Sequence, residues 1–149
     1  MRAVVQRVSR AAVSVDGSVR GRIGNGIVAL VGVERDDADG DIRYIASKIA
    51  SLRIFDDDTG RMNRSVGESG GSILCISQFT LHGDARKGRR PSYNGAAPPD
   101  TAVRLFDDVC EQLREEGLTV ETGVFGAKMQ VEMTGDGPVT ILLDSQKEF

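Results

Sequence analysis

The chain has no tryptophan and a single histidine, His82. A histidine-based nucleophile relay therefore has one possible base. Ser77 lies five residues before it, and odd spacing along a strand sets the two on opposite faces, so a Ser-His couple is not expected. There are only two cysteines, Cys75 and Cys110, both inside apolar patterns. That excludes a disulfide framework and points to buried thiols. Close Cys/His ligand spacing for zinc is also missing. No apolar run approaches the roughly 20 residues a membrane helix needs. The first residues, Met1-Arg2-Ala3-Val4-Val5-Gln6-Arg7, lack the apolar core and cleavage site of a secretion signal, so a cytoplasmic location is expected. A basic excess is lacking too: the net charge is −3, so a nucleic-acid partner would have to meet a local positive patch.

What is present is ordinary for a globular chain of 149 residues: 40% hydrophobic, 28% charged, one expected domain over residues 1–149. The most informative stretch is Ser72-Ile73-Leu74-Cys75-Ile76-Ser77-Gln78-Phe79-Thr80-Leu81. It begins as a strand buried on both faces and ends in hydroxyls and an amide. Such groups must bond local backbone or face a ligand. Directly downstream, Arg86-Lys87-Gly88-Arg89-Arg90 places four cations in five residues. A solvated surface loop and a phosphate-contacting loop are both consistent with that run. Tyr93 adds a ring that either stacks on a base or packs inward.

Around this stretch the pattern reads strands, helix, strands, helix, strands. Residues 2–8 and 11–15 predict two strands, and Asp16-Gly17 is a strong hairpin signal before a return strand over 19–23. Residues 27–33 form a buried strand. Ile42, Ile45, Ile49 and Leu52 mark a helix of about 15 residues, with Asp36 or Asp37 as its N-cap. Pro98-Pro99-Asp100 opens a second helix with Val103, Phe106, Val109, Cys110 and Leu113 inward and Gly117 as its stop. Residues 119–125, 126–133 and 137–143 predict three more strands. The fold class is α+β: a bent, mainly antiparallel sheet system with two helices packed on it.

Other chemistries are poorly supported. Asp56-Asp57-Asp58 lacks the alternating oxygen spacing of a calcium loop and reads as an exposed turn. Gly67-Glu68-Ser69-Gly70-Gly71 is followed by a strand and by no Gly-Lys-Ser/Thr, so it is not a phosphate loop. No carboxylate pair sits in an apolar setting suited to acid–base work. Neither a metal nor a cofactor is expected.

Four segments in order carry a resemblance. Val5-Gln6-Arg7-Val8-Ser9-Arg10-Ala11, Ser77-Gln78-Phe79-Thr80-Leu81 with Lys87-Gly88-Arg89-Arg90-Pro91, Thr122-Gly123-Val124-Phe125-Gly126-Ala127-Lys128-Met129, and Asp136-Gly137-Pro138-Val139-Thr140-Ile141 together resemble the D-aminoacyl-tRNA deacylase family. The resemblance is collinear over essentially the whole chain. It implies a homodimer that hydrolyses the ester between a D-amino acid and the 3′ end of tRNA. It implies that Ser77, Gln78, Phe79 and Thr80 line the pocket, with Phe125 and Met129 as further pocket residues. It further implies that Gly137-Pro138 is a cis peptide reaching into the partner's pocket, where backbone leaves no room for an L side chain, and that Arg7 braces that loop. Glycine, lacking a chiral carbon, would escape such a filter. Thr80 as nucleophile, and assistance by the ribose 2′-hydroxyl with the Phe79 and Thr80 amides holding the oxyanion, are the two catalytic routes; the second is favoured. The alternatives are an RNA-end-binding module without catalysis and a general esterase using Ser77.

Overall fold

The first strand does more than its sequence pattern announces. In the computed structural model, which describes residues 1–149, the segments 2–8 and 11–15 fuse into one strand, β1 (Arg2–Val15). An irregularity in its pairing with the last strand, between Val8 and Arg10, shifts the side-chain phase by one. Before it, Met1, Ala3 and Val5 face the larger core; after it, Ala11 and Val13 face a second, smaller one. A bulge thus lets one strand serve two cores.

The β1 strand turns at Asp16-Gly17, both at positive φ, into β2 (Ser18–Ile23), and β3 (Gly26–Gly32) follows. The chain continues through α1 (Asp39–Ser51), a small hairpin of β4 (Phe55–Asp56) and β5 (Met62–Arg64), then β6 (Ser72–Ser77), α2 (Pro99–Glu115), β7 (Val120–Thr122) and β8 (Gln130–Asp144). The main sheet runs β2-β1-β3-β6-β7, with β8 antiparallel to β1 along nearly its whole length. The pairs around β1 are antiparallel, but β3–β6 and β6–β7 are parallel. Parallel neighbours need crossovers, and α1 and α2 lie in those two connections. Both helices pack on one sheet face through Ile42, Ile45, Ile49, Leu105, Val109 and Leu113. The opposite face curls until β2 lies over β6 and β7, giving a nearly closed barrel. Gly21 permits that closure: a Cβ there would sit 2.7 Å from the Thr122 carbonyl oxygen.

Three expectations need correction. Helix α1 starts at Asp39, later than Asp36 or Asp37 as N-cap implies. The Ala38 amide donates to Asp41 Oδ2 at 2.9 Å, while Asp37 instead accepts from the Met1 ammonium at 2.5 Å and the Glu34 amide at 2.6 Å. The stretch 72–81 is strand only to Ser77; Phe79–His82 is a single 3-10 turn. The tail holds two strands, not three, because residues 123–129 leave the sheet and wall a cavity, while 130–144 is continuous. Alternation alone cannot separate a strand from an extended wall segment.

Candidate active site

Because β3 and β6 are parallel, their carboxyl ends open on the same edge. Ser77 is in register with Val31, and the Gln78 amide donates to the Val31 carbonyl at 2.8 Å, the last ladder bond before the chain turns away. A cavity of about 580 Å³ lies there. Ser77, Gln78 and Phe79 form one wall, Phe125 and Met129 another, and Ala97 with Phe106 closes the helix side. The rings of Phe106 and Phe125 are 6.4 Å apart, tying α2 to the 123–129 segment. Most of the lining is apolar; the polar side chains are Ser77 and Gln78 at the end of β6 and the phenol of Tyr93.

Of the expected pocket residues, Ser77, Gln78, Phe79, Phe125 and Met129 come together here, whereas Thr80 does not line the cavity. It sits exposed on the 3-10 turn, and its Oγ1 accepts a hydrogen bond from the Gln78 side-chain amide. The amides of Phe79 and Thr80 open that turn, where the first N–H groups have no partner within the turn. His82, the last residue of the turn, is buried with Nε2 unpartnered. No cluster of three His, Cys, Asp or Glu side chains is arranged to hold a metal ion. The α2 contribution escapes a reading of the sequence: Phe106 looks like core and Ala102 like filler, yet both line the cavity. The run of small side chains at Ala96-Ala97 was the available signal.

The basic run is a pinned hairpin tip. Asp84 and Ser92 exchange backbone hydrogen bonds of 2.8 and 3.0 Å. The Arg86 guanidinium donates to both Asp84 carboxylate oxygens, at 2.9 and 2.7 Å. Those bonds, with a further one from the Arg86 amide, hold the Asp84 carboxyl down at about 2. Arg86 is therefore occupied, while Lys87, Arg89 and Arg90 are exposed and form no ion pair.

Gly137-Pro138 lies elsewhere. The peptide is cis, both residues are exposed in the middle of β8, and neither lines the cavity of its own protomer. Gly137 has φ +132°, and a Cβ there would fall 2.8 Å from the Val139 amide nitrogen and 3.4 Å from Arg7 Nη2. Arg7 is buried against this tip. Its Nε donates to the Asp136 carbonyl at 3.1 Å and lies 3.2 Å from the Asp136 carboxylate. Its Nη1 donates to the Ile54 carbonyl at 2.6 Å. The side chain thus bolts the glycine–proline tip to the segment entering β4.

Fold and site together define a small α+β domain whose apolar cavity opens beside a polar strand end, and similarity to known proteins makes the class specific. Residues 4–144 match the family described as D-Tyr-tRNA(Tyr) deacylase. Proteins named D-aminoacyl-tRNA deacylase from Anaeromyxobacter dehalogenans and Desulfitobacterium hafniense are 61% and 56% identical, each alignment covering both chains completely. A solved structure titled c-Myc DNA Unwinding Element Binding Protein is 41% identical with a TM-score of 0.91, covering 97% of this chain and 98% of that one. A second, titled as a probable eukaryotic D-amino acid tRNA deacylase, shares the fold at 21% identity, with a TM-score of 0.77 over 95% and 97% of the two chains. The chain belongs to the D-Tyr-tRNA(Tyr) deacylase family. With that membership goes its enzyme class, a deacylase of the hydrolase kind.

Proposed function

We propose that the protein hydrolyses the ester joining a D-amino acid to the 3′-terminal ribose of tRNA, releasing free D-amino acid and tRNA, and so proofreads chirality in translation. The observation that carries this reading is the polar end of β6 at the mouth of an apolar cavity, in a chain matched end to end by proteins of that name. A cytoplasmic location goes with it.

Water attacks the ester carbonyl; the new C–O bond forms, the bond to the ribose oxygen breaks, and that oxygen leaves as a hydroxyl. Thr80 already accepts from Gln78 and has no histidine, carboxylate or lysine bonded to it. The reading therefore gives proton handling to the neighbouring 2′-hydroxyl of the substrate. Oxyanion stabilisation falls to the Phe79 and Thr80 amides. An aminoacyl ester is reactive enough that positioning and oxyanion stabilisation supply the remaining barrier reduction. Ser77 and Gln78 orient the substrate. The reading calls for no metal or cofactor.

Handedness is read by backbone. The tip Gly137-Pro138 is exposed and does not line its own cavity, and β8 also exposes Met133 and Leu142, large apolar residues that a second copy would cover. In the homodimer each tip enters the partner's cavity, with Phe125 and Met129 opposite, and Arg7 holds it rigid. Main-chain atoms then exclude an L side chain whatever its chemistry. Glycyl-tRNA passes the same filter. Lys87, Arg89 and Arg90 meet tRNA phosphates; Arg86 joins them only by leaving Asp84.

The second reading is an RNA-end-binding module without catalysis; the name of the 41%-identical structure, a DNA-element-binding protein, speaks for nucleic-acid binding in general. Incubation with D-Tyr-tRNA separates the two: release of D-tyrosine supports the deacylase, and retention of intact D-Tyr-tRNA in a complex supports the module. Hydrolysis of small D-amino acid esters without RNA, at the same rate, would instead favour a general esterase built on Ser77.

A further inference from the structure

The turn that carries the Phe79 and Thr80 amides is only four residues long, Phe79–His82. A single turn makes too few hydrogen bonds to hold its own shape. Here the Leu81 amide donates to the Gln78 carbonyl at 3.3 Å, and the Gly83 amide to the Thr80 carbonyl at 3.0 Å. What the turn packs on must supply the rest. Its start is tied to β3 by the Gln78 ladder bond. At its end stands His82, the one histidine of the chain and the one buried residue of the turn, 6% exposed.

The ring occupies room that a glycine leaves. A Cβ on Gly32, at the carboxyl end of β3, would lie 2.8 Å from the Gln78 carbonyl oxygen, 3.1 Å from Leu81 Cβ and 3.2 Å from His82 Cδ2. Gly32 is not at positive φ, so what glycine supplies there is space. Gly95, on the segment leading to α2, also comes close: its Cβ would be 4.0 Å from that of His82. Nε2 of His82 is buried without a partner. Such an atom costs stability, so what the ring contributes through that edge is volume. The nearby Arg2 guanidinium spends its donors on the Leu81 carbonyl, Asp144 and Glu148.

We infer that His82 is the positioning residue of this turn: its imidazole, packed against Gly32, holds the Phe79 and Thr80 amides in place. It acts by filling space and transfers no proton. The role of those amides rests on the proposed function; the packing that holds the turn does not. With the ring removed, residues 79–81 are anchored at Gln78 alone, and the amides drift. A misplacement of about 1 Å costs on the order of a hundredfold in rate. The oxyanion exists only in the transition state, so the loss falls on kcat and spares KM.

The test uses the whole protein and two readouts. On D-Tyr-tRNA, His82→Ala is expected to lower kcat roughly 10- to 100-fold with KM little changed. His82→Leu, which refills the space, recovers most of the lost kcat and keeps the wild-type pH dependence. Without substrate, amide hydrogen exchange reads the turn itself. The Leu81 and Gly83 amides should exchange faster in His82→Ala and at wild-type rates in His82→Leu, while the Gln78 amide stays protected in both. Gly32→Ala, which pushes on the turn and leaves the ring in place, should lower kcat and speed the same two amides. It decides the matter if His82→Ala also loses protection at Gln78. Unchanged kcat and unchanged exchange in a folded His82→Ala protein, or in Gly32→Ala in that event, overturn the inference. So does a His82→Leu protein as slow as His82→Ala with an altered pH profile, which would make the ring a proton carrier. Exchange differences without any release of D-tyrosine by the wild type keep the positioning role and remove the deacylase reading. Release by the wild type with neither readout moved by the variants does the reverse.

Discussion

Gln78 and Thr80 are bonded to each other across one residue, the Gln78 amide donating to the Thr80 hydroxyl oxygen. That contact orients the hydroxyl as an acceptor, and no basic side chain hydrogen-bonds to it. A threonine placed this way is a poor nucleophile, because nothing takes its proton. Thr80→Ala is therefore expected to slow D-Tyr-tRNA hydrolysis by less than about a hundredfold, the lower range for losing a positioned proton-transfer group. Single-turnover rates on a protein of unchanged circular dichroism check this. A loss of several orders of magnitude would restore Thr80 as the nucleophile.

The hairpin tip makes a prediction about salt. Only Lys87, Arg89 and Arg90 are free to meet phosphate, since Arg86 is held by Asp84. Each of Lys87→Ala, Arg89→Ala and Arg90→Ala should lower the slope of log affinity against log salt by about 0.7, the single-strand value per contact. Arg86→Ala should leave it nearly unchanged, and Asp84→Asn, which frees Arg86, should steepen it. The Asp84 carboxyl is depressed to about 2, so the lock is complete above the ordinary carboxylate range and is lost only as pH falls through that low value. Binding assays between pH 5 and 8 should give the same ranking of variants.

Gly137 stands at φ +132° with Val139 and Arg7 against its missing Cβ. Gly137→Ala should displace the tip. The ratio of D- to L-Tyr-tRNA hydrolysis should then fall by roughly 10- to 200-fold, the range a misplaced methyl group is worth in a tight site. Comparing both rates in variant and wild type reads this directly. An unchanged ratio would remove the tip from chiral selection.

Gly21 is where β2 crosses β7. Gly21→Ala would bring a methyl within 2.7 Å of the Thr122 carbonyl oxygen and 3.2 Å of Leu74 Cδ1. The expected cost is about 1–3 kcal/mol, the usual penalty for overpacking. Urea unfolding measures it through a lower midpoint at constant slope.

If each tip serves its partner, the active species is a dimer. Light scattering should give twice the 16.0 kDa chain mass, and specific activity should fall on dilution below the dimer's dissociation constant. Full activity in a monomer would contradict a shared site.

How far these features could be read from sequence depends on the kind of pattern that encodes them. The hairpin at Asp16-Gly17, the two amphipathic helices and the buried run Ile73–Ile76 are local signals, and all three are found. The polar strand end at Ser77-Gln78 was visible because polar groups at the end of a buried strand require a partner. The bulge near Ser9 was not visible, because it depends on which neighbour β8 offers at each position. Nor was the parallel placement of β6 beside β3, a tertiary choice that opens the cavity. The lock between Asp84 and Arg86 was hidden in a run that looks uniformly basic, and Phe106 was hidden because a core residue on α2 also lines the cavity.

If backbone sterics reject the wrong hand, with side-chain recognition secondary, three aminoacyl esters should separate in one assay. The most direct measurement is the first-order rate of deacylation of D-Tyr-tRNA, L-Tyr-tRNA and Gly-tRNA by the same wild-type enzyme, each corrected for spontaneous hydrolysis. The expected result is rapid loss of the D-tyrosyl ester, measurable loss of the glycyl ester, and L-tyrosyl hydrolysis at background. Glycyl-tRNA spared along with the L ester, or D and L esters cleaved at equal rates, would contradict it.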